Sequence, residues 1–400
     1  MSAGTSGRER GLREVGLLGI AALPVGEHWD LGLRDLGADA ARRAMADAGV
    51  EGVDAIYVGN MASGALCAQE NVGVLIADAA GLLPVEAVKI EAACASGGAA
   101  VRAACQAVAG GLHERVLAIG VEKMTDLLGD GVTAALATAA DADFEAAHGI
   151  SFVALNALLM RRYMDEHRLE RREFAPFAVL AHRNARHNPH AFFRREITAD
   201  AFTTSPLVAD PIGVLDSAPI CDGAAAVVIA PLAECRRRAA GAGRPPAVRV
   251  RASAAATDTL LLAARRDPLV WDSVARSAAR ALEEAGVGRR DLDFYEPHDA
   301  FTIVTTLSLE ACGFAERGAA VRDAAQGRFE AGGELPICTL GGLKGRGHPV
   351  GASGTYQIVE AALQLQGRAG GAQLRKASLA MTQSVGGSGS IAVTHVLEAV

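Results

Sequence analysis

Two segments far apart in the chain share one local plan: an apolar stretch, a loop of small residues, and a helix that starts close to a reactive side chain. The first reads Glu91-Ala92-Ala93-Cys94-Ala95-Ser96-Gly97-Gly98-Ala99-Ala100 and continues helically through Val101-Arg102-Ala103-Ala104. The second reads Gly341-Gly342-Leu343-Lys344-Gly345-Arg346-Gly347-His348-Pro349-Val350-Gly351-Ala352-Ser353-Gly354, followed by the apolar-periodic run Tyr356 to Leu363. Strand-loop-helix junctions used twice in one chain predict an α/β fold built from two similar halves. In such a duplication the reactive groups at the two strand ends face the same side of the joined sheets.

Each junction suits a particular chemistry. The unpaired N–H groups and positive dipole end of a starting helix stabilise a thiolate, and the small residues after Cys94 leave room for a substrate. By itself, a cysteine in an alanine-rich stretch is more simply a packed core residue. His348 lies between Gly347, which permits close approach, and Pro349, which biases the preceding residue toward extended geometry. An imidazole so held can take the proton of a thiol, although sequence spacing does not show that the two meet. A third segment, Asp293-Phe294-Tyr295-Glu296-Pro297-His298-Asp299-Ala300-Phe301-Thr302, reads as a short strand entering a turn with a second histidine. A fourth, Gln383-Ser384-Val385-Gly386-Gly387-Ser388-Gly389-Ser390, precedes the alternating strand Ile391 to Val396, and alone it would be an ordinary tight turn.

The periodicities place strands at Val15–Ala22, Ala55–Val58, Glu86–Ile90 and Arg115–Gly120 in the first half, with helices at Leu31–Ala48, Asn71–Ala80 and from Cys94. The second half repeats the plan with strands at Ala247–Ala252 and Phe294–Glu296, and helices at Trp271–Ala285, Phe301–Ala311 and after His348. The expected units are 13–124, an inserted segment 125–217, a return to the first half at 218–242, and a C-terminal half 243–400. The insertion holds Arg161, Arg162, Arg168, Arg171, Arg172, Arg183, Arg186, Arg194 and Arg195, mostly readable as solvated helix faces alternating with acids.

Composition narrows the class. Half the residues are hydrophobic but only 4% aromatic, so the interior must be built from Ala, Val and Leu, and 45 glycines suit close helix-on-sheet packing. A net charge of −7 offers no general basic field for nucleic acid. Seven cysteines without metal-ligand spacing read as reduced thiols, and no metal is expected. Arg8, Arg10 and Arg13 before Val15–Ala22 mimic a signal peptide, but the apolar run is short and a buried strand fits it better. No stretch has the length of an apolar membrane span, so the expected location is the cytoplasm.

Taken in this order, the four segments resemble the thiolase superfamily from about Val15 to Glu398. The resemblance implies a duplicated five-layer α-β-α-β-α architecture with a loop domain over the active site. It implies that Cys94 is acylated by an acyl-CoA, that His348 activates it, and that His298, with Asp299-Ala300-Phe301, serves the thioester oxygen. The histidine at 298 looks like the sterol carrier protein thiolases and, more closely, the archaeal-type acetoacetyl-CoA thiolases. Gly120-Val121-Glu122-Lys123-Met124 and the run Pro206 to Ala226 are similar to the latter as well. The implied oxyanion donors are the backbone N–H groups at Cys94 and near Gly386. Ser253 and Phe301 are the implied substrate contacts, and the insertion's arginines are candidates for the CoA phosphates.

One position departs from the family pattern. Thiolases carry a second cysteine near the C-terminus for α-proton removal, and the matching residue here is Ser384, whose hydroxyl is too weak to replace a thiol. Cys338, His298 and a second use of His348 remain, with His298 favoured. The implied activity is reversible Claisen condensation of acetyl-CoA with an acyl-CoA, with CoA thioesters as substrates and no bound cofactor. The alternatives are a condensing or acyl-transfer enzyme without that proton step, and a non-catalytic lipid-CoA carrier or scaffold subunit. A homodimer or homotetramer is expected, with a hydroxymethylglutaryl-CoA synthase and a zinc-ribbon/OB-fold protein as candidate partners.

Overall fold

The computed structural model describes residues 12–241 and 243–400, so Arg8 and Arg10, and position 242 of the expected unit boundary, lie outside the described residues. In chain order the strands are β1 (Val15–Ala22), β2 (Ala55–Gly59), β3 (Glu86–Ile90), β4 (Val116–Glu122), β5 (Leu207–Ala209), β6 (Ile212–Gly213), β7 (Gly223–Pro231), β8 (Val248–Thr257), β9 (Phe294–Glu296), β10 (Leu379–Gly386) and β11 (Ile391–Ala399). Nine of them form one sheet in the order β3-β2-β4-β7-β1-β8-β11-β10-β9, while β5 and β6 pair separately.

That order contains the duplication. From the outer edge inward, β3-β2-β4-β7-β1 is mirrored by a short parallel bridge at Ile337, then β9-β10-β11-β8. Ile337 bridges Tyr295 of β9 as β3 pairs with β2, in parallel. The halves join where Val15–Leu17 of β1 pairs antiparallel with Val248–Val250 of β8.

Helices Ser96–Ala109 and Ser353–Leu365 pack against each other between the two halves of the sheet. Helices Leu33–Ala48 and Val72–Ala80 cover the outer face of the first half, and Asp272–Ala285 and Thr302–Ala311 flank the second. The result is the α-β-α-β-α layering that the resemblance implied. Because the central helix Ser353–Leu365 is enclosed on all sides, every one of its residues except Leu363 is buried, including Glu360 and Gln357. Its start differs from the apolar run in the sequence, because Ser353 and Gly354 are already helical.

Small residues permit this layering. Alanines dominate the buried face of Leu33–Ala48, and a Cβ at Gly120 of β4 would lie 2.6 Å from Thr355 Oγ1 on the central helix. Close approach of this kind is what a core poor in aromatic residues gains in packing density. One element is new relative to the sequence reading: β10 runs to Gly386, so the Gln383–Gly386 stretch is the end of a central strand and the turn begins only at Gly387. Among the described residues, no helix is long and apolar enough to cross a membrane.

Candidate active site

Cys94 and His348 come together because their helices cross at glycine. A Cβ on Gly354 would collide with the amide nitrogen of Gly98, so the two helix starts touch through their backbones. The same seam brings in β9: one ligating atom each of Cys94, His298 and His348 lies within 4.8 Å of the others. The two imidazoles meet edge to face with centroids 5.1 Å apart. All three residues are at least nine-tenths buried.

Each is held by specific contacts. Ala93, just before the thiol, takes φ +50°, which turns the chain sharply into the helix that begins at Ser96. The Ser96 hydroxyl closes this turn, donating to Ala93 O at 2.6 Å and accepting from Ala92 N–H at 2.9 Å. His348 N–H donates to Cys221 Sγ at 3.1 Å, and its Nδ1 bonds Ser353 Oγ at 2.7 Å, leaving Nε2 as the free nitrogen. Asp299 accepts from the N–H groups of Leu343 (2.6 Å) and Lys344 (3.2 Å), tying the His298 turn to the loop that carries His348.

Glu122 is a junction that the sequence reading did not single out. At the end of β4 it accepts from Asn60 Nδ2, Met61 N–H, Ala62 N–H and Gly351 N–H at 2.8–3.1 Å, joining the loop after β2 to the loop that follows His348. Its sequence signals are an acid ending the apolar run Val116–Val121 and its place in the Gly120–Met124 segment that resembles the archaeal-type thiolases. Asp222 plays a similar part, accepting from Lys123 Nζ at 2.8 Å and from the N–H groups of His28, Met124 and Thr125.

Electrostatics set a neutral resting state. Burial pushes the Cys94 thiol up to about 12, reinforced by the Glu122 charge and opposed by the N–H groups of Cys94 and Gly387. The N–H groups at the helix start therefore lower the thiol's pKa less than desolvation raises it. Burial also lowers His298 to about 3, and the buried Arg346 guanidinium adds to this. His348 lies well below the usual imidazole range, through burial first and then His298 and Arg346. Arg346 itself is paired with Glu360 at 2.9 Å and sits 4.7 Å from the Tyr356 ring centroid.

A cavity of about 350 Å³ opens onto this cluster. Cys94 and His348 reach it beside Met61, Met124, Phe152, Phe193, Ala300, Phe301 and Val350. Its mouth is formed by Val208, Val214 and Ile220, all more than two-fifths exposed. Phe301 is thus a lining residue, packed against Phe152 at 6.2 Å between centroids.

Three candidates lie elsewhere. Ser384 points into the seam between Gly98 and Gly354, and its buried hydroxyl has no partner among the described residues. Cys338, at φ +48°, is raised well above the usual thiol range by burial and by the Asp299 and Glu296 charges, and it does not line the cavity. Ser253 sits on β8 opposite His395 and lines a separate groove with Arg102, Arg249 and Arg251. A serine that does line the cavity is Ser217, whose buried Oγ has no partner among the described residues; its position before Asp222-Gly223-Ala224 was the available signal. Gly386 lets β10 approach the Ala92 carbonyl, but the N–H beside the sulfur, besides that of Cys94, belongs to Gly387. Arg161, Arg162, Arg172, Arg183 and Arg186 are engaged in surface ion pairs, and Arg171 pairs with the buried Asp216.

The thiolase N-terminal domain matches residues 21–233, and the thiolase C-terminal domain-like family matches residues 254–399. The chain belongs to the thiolase family. Among thiolase relatives, it is 42% identical to the acetyl-CoA acetyltransferase of Methanothermobacter thermautotrophicus, over 96% of this chain and 99% of that one. It is 33% identical to the acetyl-CoA acetyltransferase of Methanocaldococcus jannaschii, over 96% and 99%. The solved structure titled "Ltp2-ChsH2(DUF35) aldolase" superposes with a TM-score of 0.82 at 23% identity, covering 96% of this chain and 98% of that one. That likeness speaks to the fold.

Proposed function

We propose that this thiolase is an acetyl-CoA C-acetyltransferase that forms and cleaves acetoacetyl-CoA through an acyl-Cys94 intermediate. The observation that carries the reading is the meeting of Cys94, His298 and His348 within 4.8 Å, with Cys94 and His348 lining one cavity, in a chain so similar to two acetyl-CoA acetyltransferases.

The chemistry follows from the neutral resting state. His348 takes the Cys94 proton as sulfur attacks the thioester carbon, so thiolate and imidazolium exist only opposite each other, where their charges compensate the cost of burial. The N–H groups of Cys94 and Gly387 stabilise the oxygen on which charge develops. The C–S bond to CoA breaks, and His348 returns the proton to the departing CoA sulfur. In the second half, a base removes an α-proton from acetyl-CoA, the carbanion attacks the acyl carbon, and the Cys94 sulfur leaves and is reprotonated. With Ser384 turned into the helix seam and Cys338 outside the Cys94-His298-His348 cluster, His298, which stands within 4.8 Å of both Cys94 and His348 and whose Nδ1 has no partner among the described residues, is the group we assign to that α-proton.

Acetoacetyl-CoA thiolysis by added CoA tests the reading. Turnover is expected in the natural chain and in Ser384→Ala, and not in Cys94→Ala; acylation of Cys94 without thiolysis would favour an acyl-transfer enzyme using another acceptor.

The reading extends to assembly. The outermost strand β3 is half-exposed and leaves one edge unpaired in the sheet, which supports association of two copies through the first half. The similarly folded Ltp2-ChsH2(DUF35) aldolase supports an accessory zinc-ribbon/OB-fold partner, and a hydroxymethylglutaryl-CoA synthase would consume the acetoacetyl-CoA formed. Co-purification with the natural chain checks this, and a homo-oligomer eluting without either protein argues against it. We place the enzyme in the cytoplasm.

A further inference from the structure

The mechanism leaves one charged group in the cavity without work. Lys344 is 3% exposed, lines the same cavity as Cys94 and His348, and lies with Nζ 5.2 Å from the Phe193 ring centroid. Among the described residues its ammonium has no ion pair and no hydrogen-bond acceptor. The two carboxylates whose charge reaches it are committed elsewhere. Asp216 accepts from Arg171 Nε (3.0 Å), Gly213 N–H (2.8 Å) and Thr302 Oγ1 (2.9 Å), and Asp299 accepts from the backbone N–H groups of Leu343 and Lys344.

An ammonium drawn largely out of water without a partner is costly, and the cavity it lines is mostly apolar, with Phe152, Val153, Leu215, Ala218 and Phe301 among its walls. An acetyl group brings nothing that would satisfy it. The acetyl oxygen is the thioester oxygen, which the site already serves from the Cys94 side.

Resting on the acyl-CoA reading above, we propose that Lys344 is a specificity-determining residue that binds an anionic oxygen on the acyl chain. The cavity would then favour CoA thioesters whose acyl group ends in a carboxylate over equally long ones that end in a methyl group. The phosphates of CoA are an unsuitable source of that oxygen. With the thioester at Cys94 they lie a full pantetheine arm away, and about 350 Å³ has no room for the nucleotide. The pantetheine amide carbonyls are the other source of oxygen, and a comparison of matched acyl groups separates them from the acyl chain.

The test is binding, so it does not depend on turnover. Dissociation constants are measured by calorimetry on the full chain carrying Cys94→Ala, for succinyl-CoA against butyryl-CoA and glutaryl-CoA against valeryl-CoA. With Lys344 present, at least one carboxylate-bearing member should bind roughly 10- to 100-fold more tightly than its methyl-ended match, as for a charge-assisted hydrogen bond in a dry site. Adding Lys344→Met or Lys344→Gln should abolish that preference. Equal or weaker binding of both carboxylate-bearing members overturns the proposal even if neither second variant folds. A preference that survives both substitutions also overturns it. Equal weakening of the two members of each pair assigns Lys344 to the pantetheine arm instead. Absence of thiolysis with the preference intact would count against the acetyltransferase reading alone.

Discussion

Gly98 and Gly354 meet backbone to backbone where the two central helices cross, and a side chain at Gly354 would run into the Gly98 amide nitrogen. Cys94 stands just before the first helix and His348 just before the second, so the reach between thiol and imidazole is set by this contact.

A methyl group there has nowhere to go, because backbone cannot move aside as a flexible side chain can. Gly354→Ala is expected to lower unfolding stability by about 1–3 kcal/mol and to depress kcat. Gly52→Ala, at an exposed position with nothing within 4 Å of the new atom, should stay within about 0.5 kcal/mol of the natural chain. Denaturant unfolding of the two variants makes the comparison, and equal stabilities would show that the helices separate freely.

The neutral thiol has a pH signature. With Cys94 pushed up to about 12, its thiolate fraction at pH 7 is small and grows about tenfold per pH unit. Alkylation of Cys94 by iodoacetamide, followed by peptide mapping because Cys67 is partly exposed, should accelerate steadily from pH 7 to pH 9. A rate that levels off below pH 8 would mean that a thiolate-imidazolium pair already exists at rest.

Ser353 acts through His348. Its hydroxyl bonds Nδ1 at 2.7 Å and fixes which nitrogen is available to the thiol. Ser353→Ala should lower kcat about tenfold while leaving KM nearly unchanged, since the ring loses orientation but the cavity keeps its walls. Ser353→Thr, which keeps the hydroxyl, should recover part of the loss. Unchanged kcat in the alanine variant would show that packing alone positions the imidazole.

The two junctions were legible because glycine, a reactive residue and a helical run occur together, a pattern tied to backbone geometry. The bounds of β1, β3 and β9 were legible too: β1 is an apolar run before Leu23-Pro24, β3 is a short stretch with β-branched Val88 and Ile90 after Leu83-Pro84, and β9 ends at Pro297. β10 was obscured because its end, Thr382-Gln383-Ser384, is polar yet buried. Gln383 is satisfied there by Tyr295, Val274 O, Ser277 and Thr394, partners no local pattern announces. The direction of Ser384 depended on strand alternation within that unseen strand, so its departure from the cavity could not be read. Ser217 and Lys344 face the cavity beside Cys94, Phe152 and Phe301, residues that no local pattern joins to them. The strength of desolvation at Cys94 is likewise a property of five packed layers, which a helix-start argument does not contain.

The most direct test of the account is to mix the natural chain with acetyl-CoA alone and locate the acetyl group by mass spectrometry of acid-quenched peptides. One acetyl group on the peptide carrying Cys94, discharged by added CoA and retained in Ser384→Ala, is the predicted result. An acetyl group on another residue, or none on a chain that still cleaves acetoacetyl-CoA, would contradict the acyl-Cys94 mechanism.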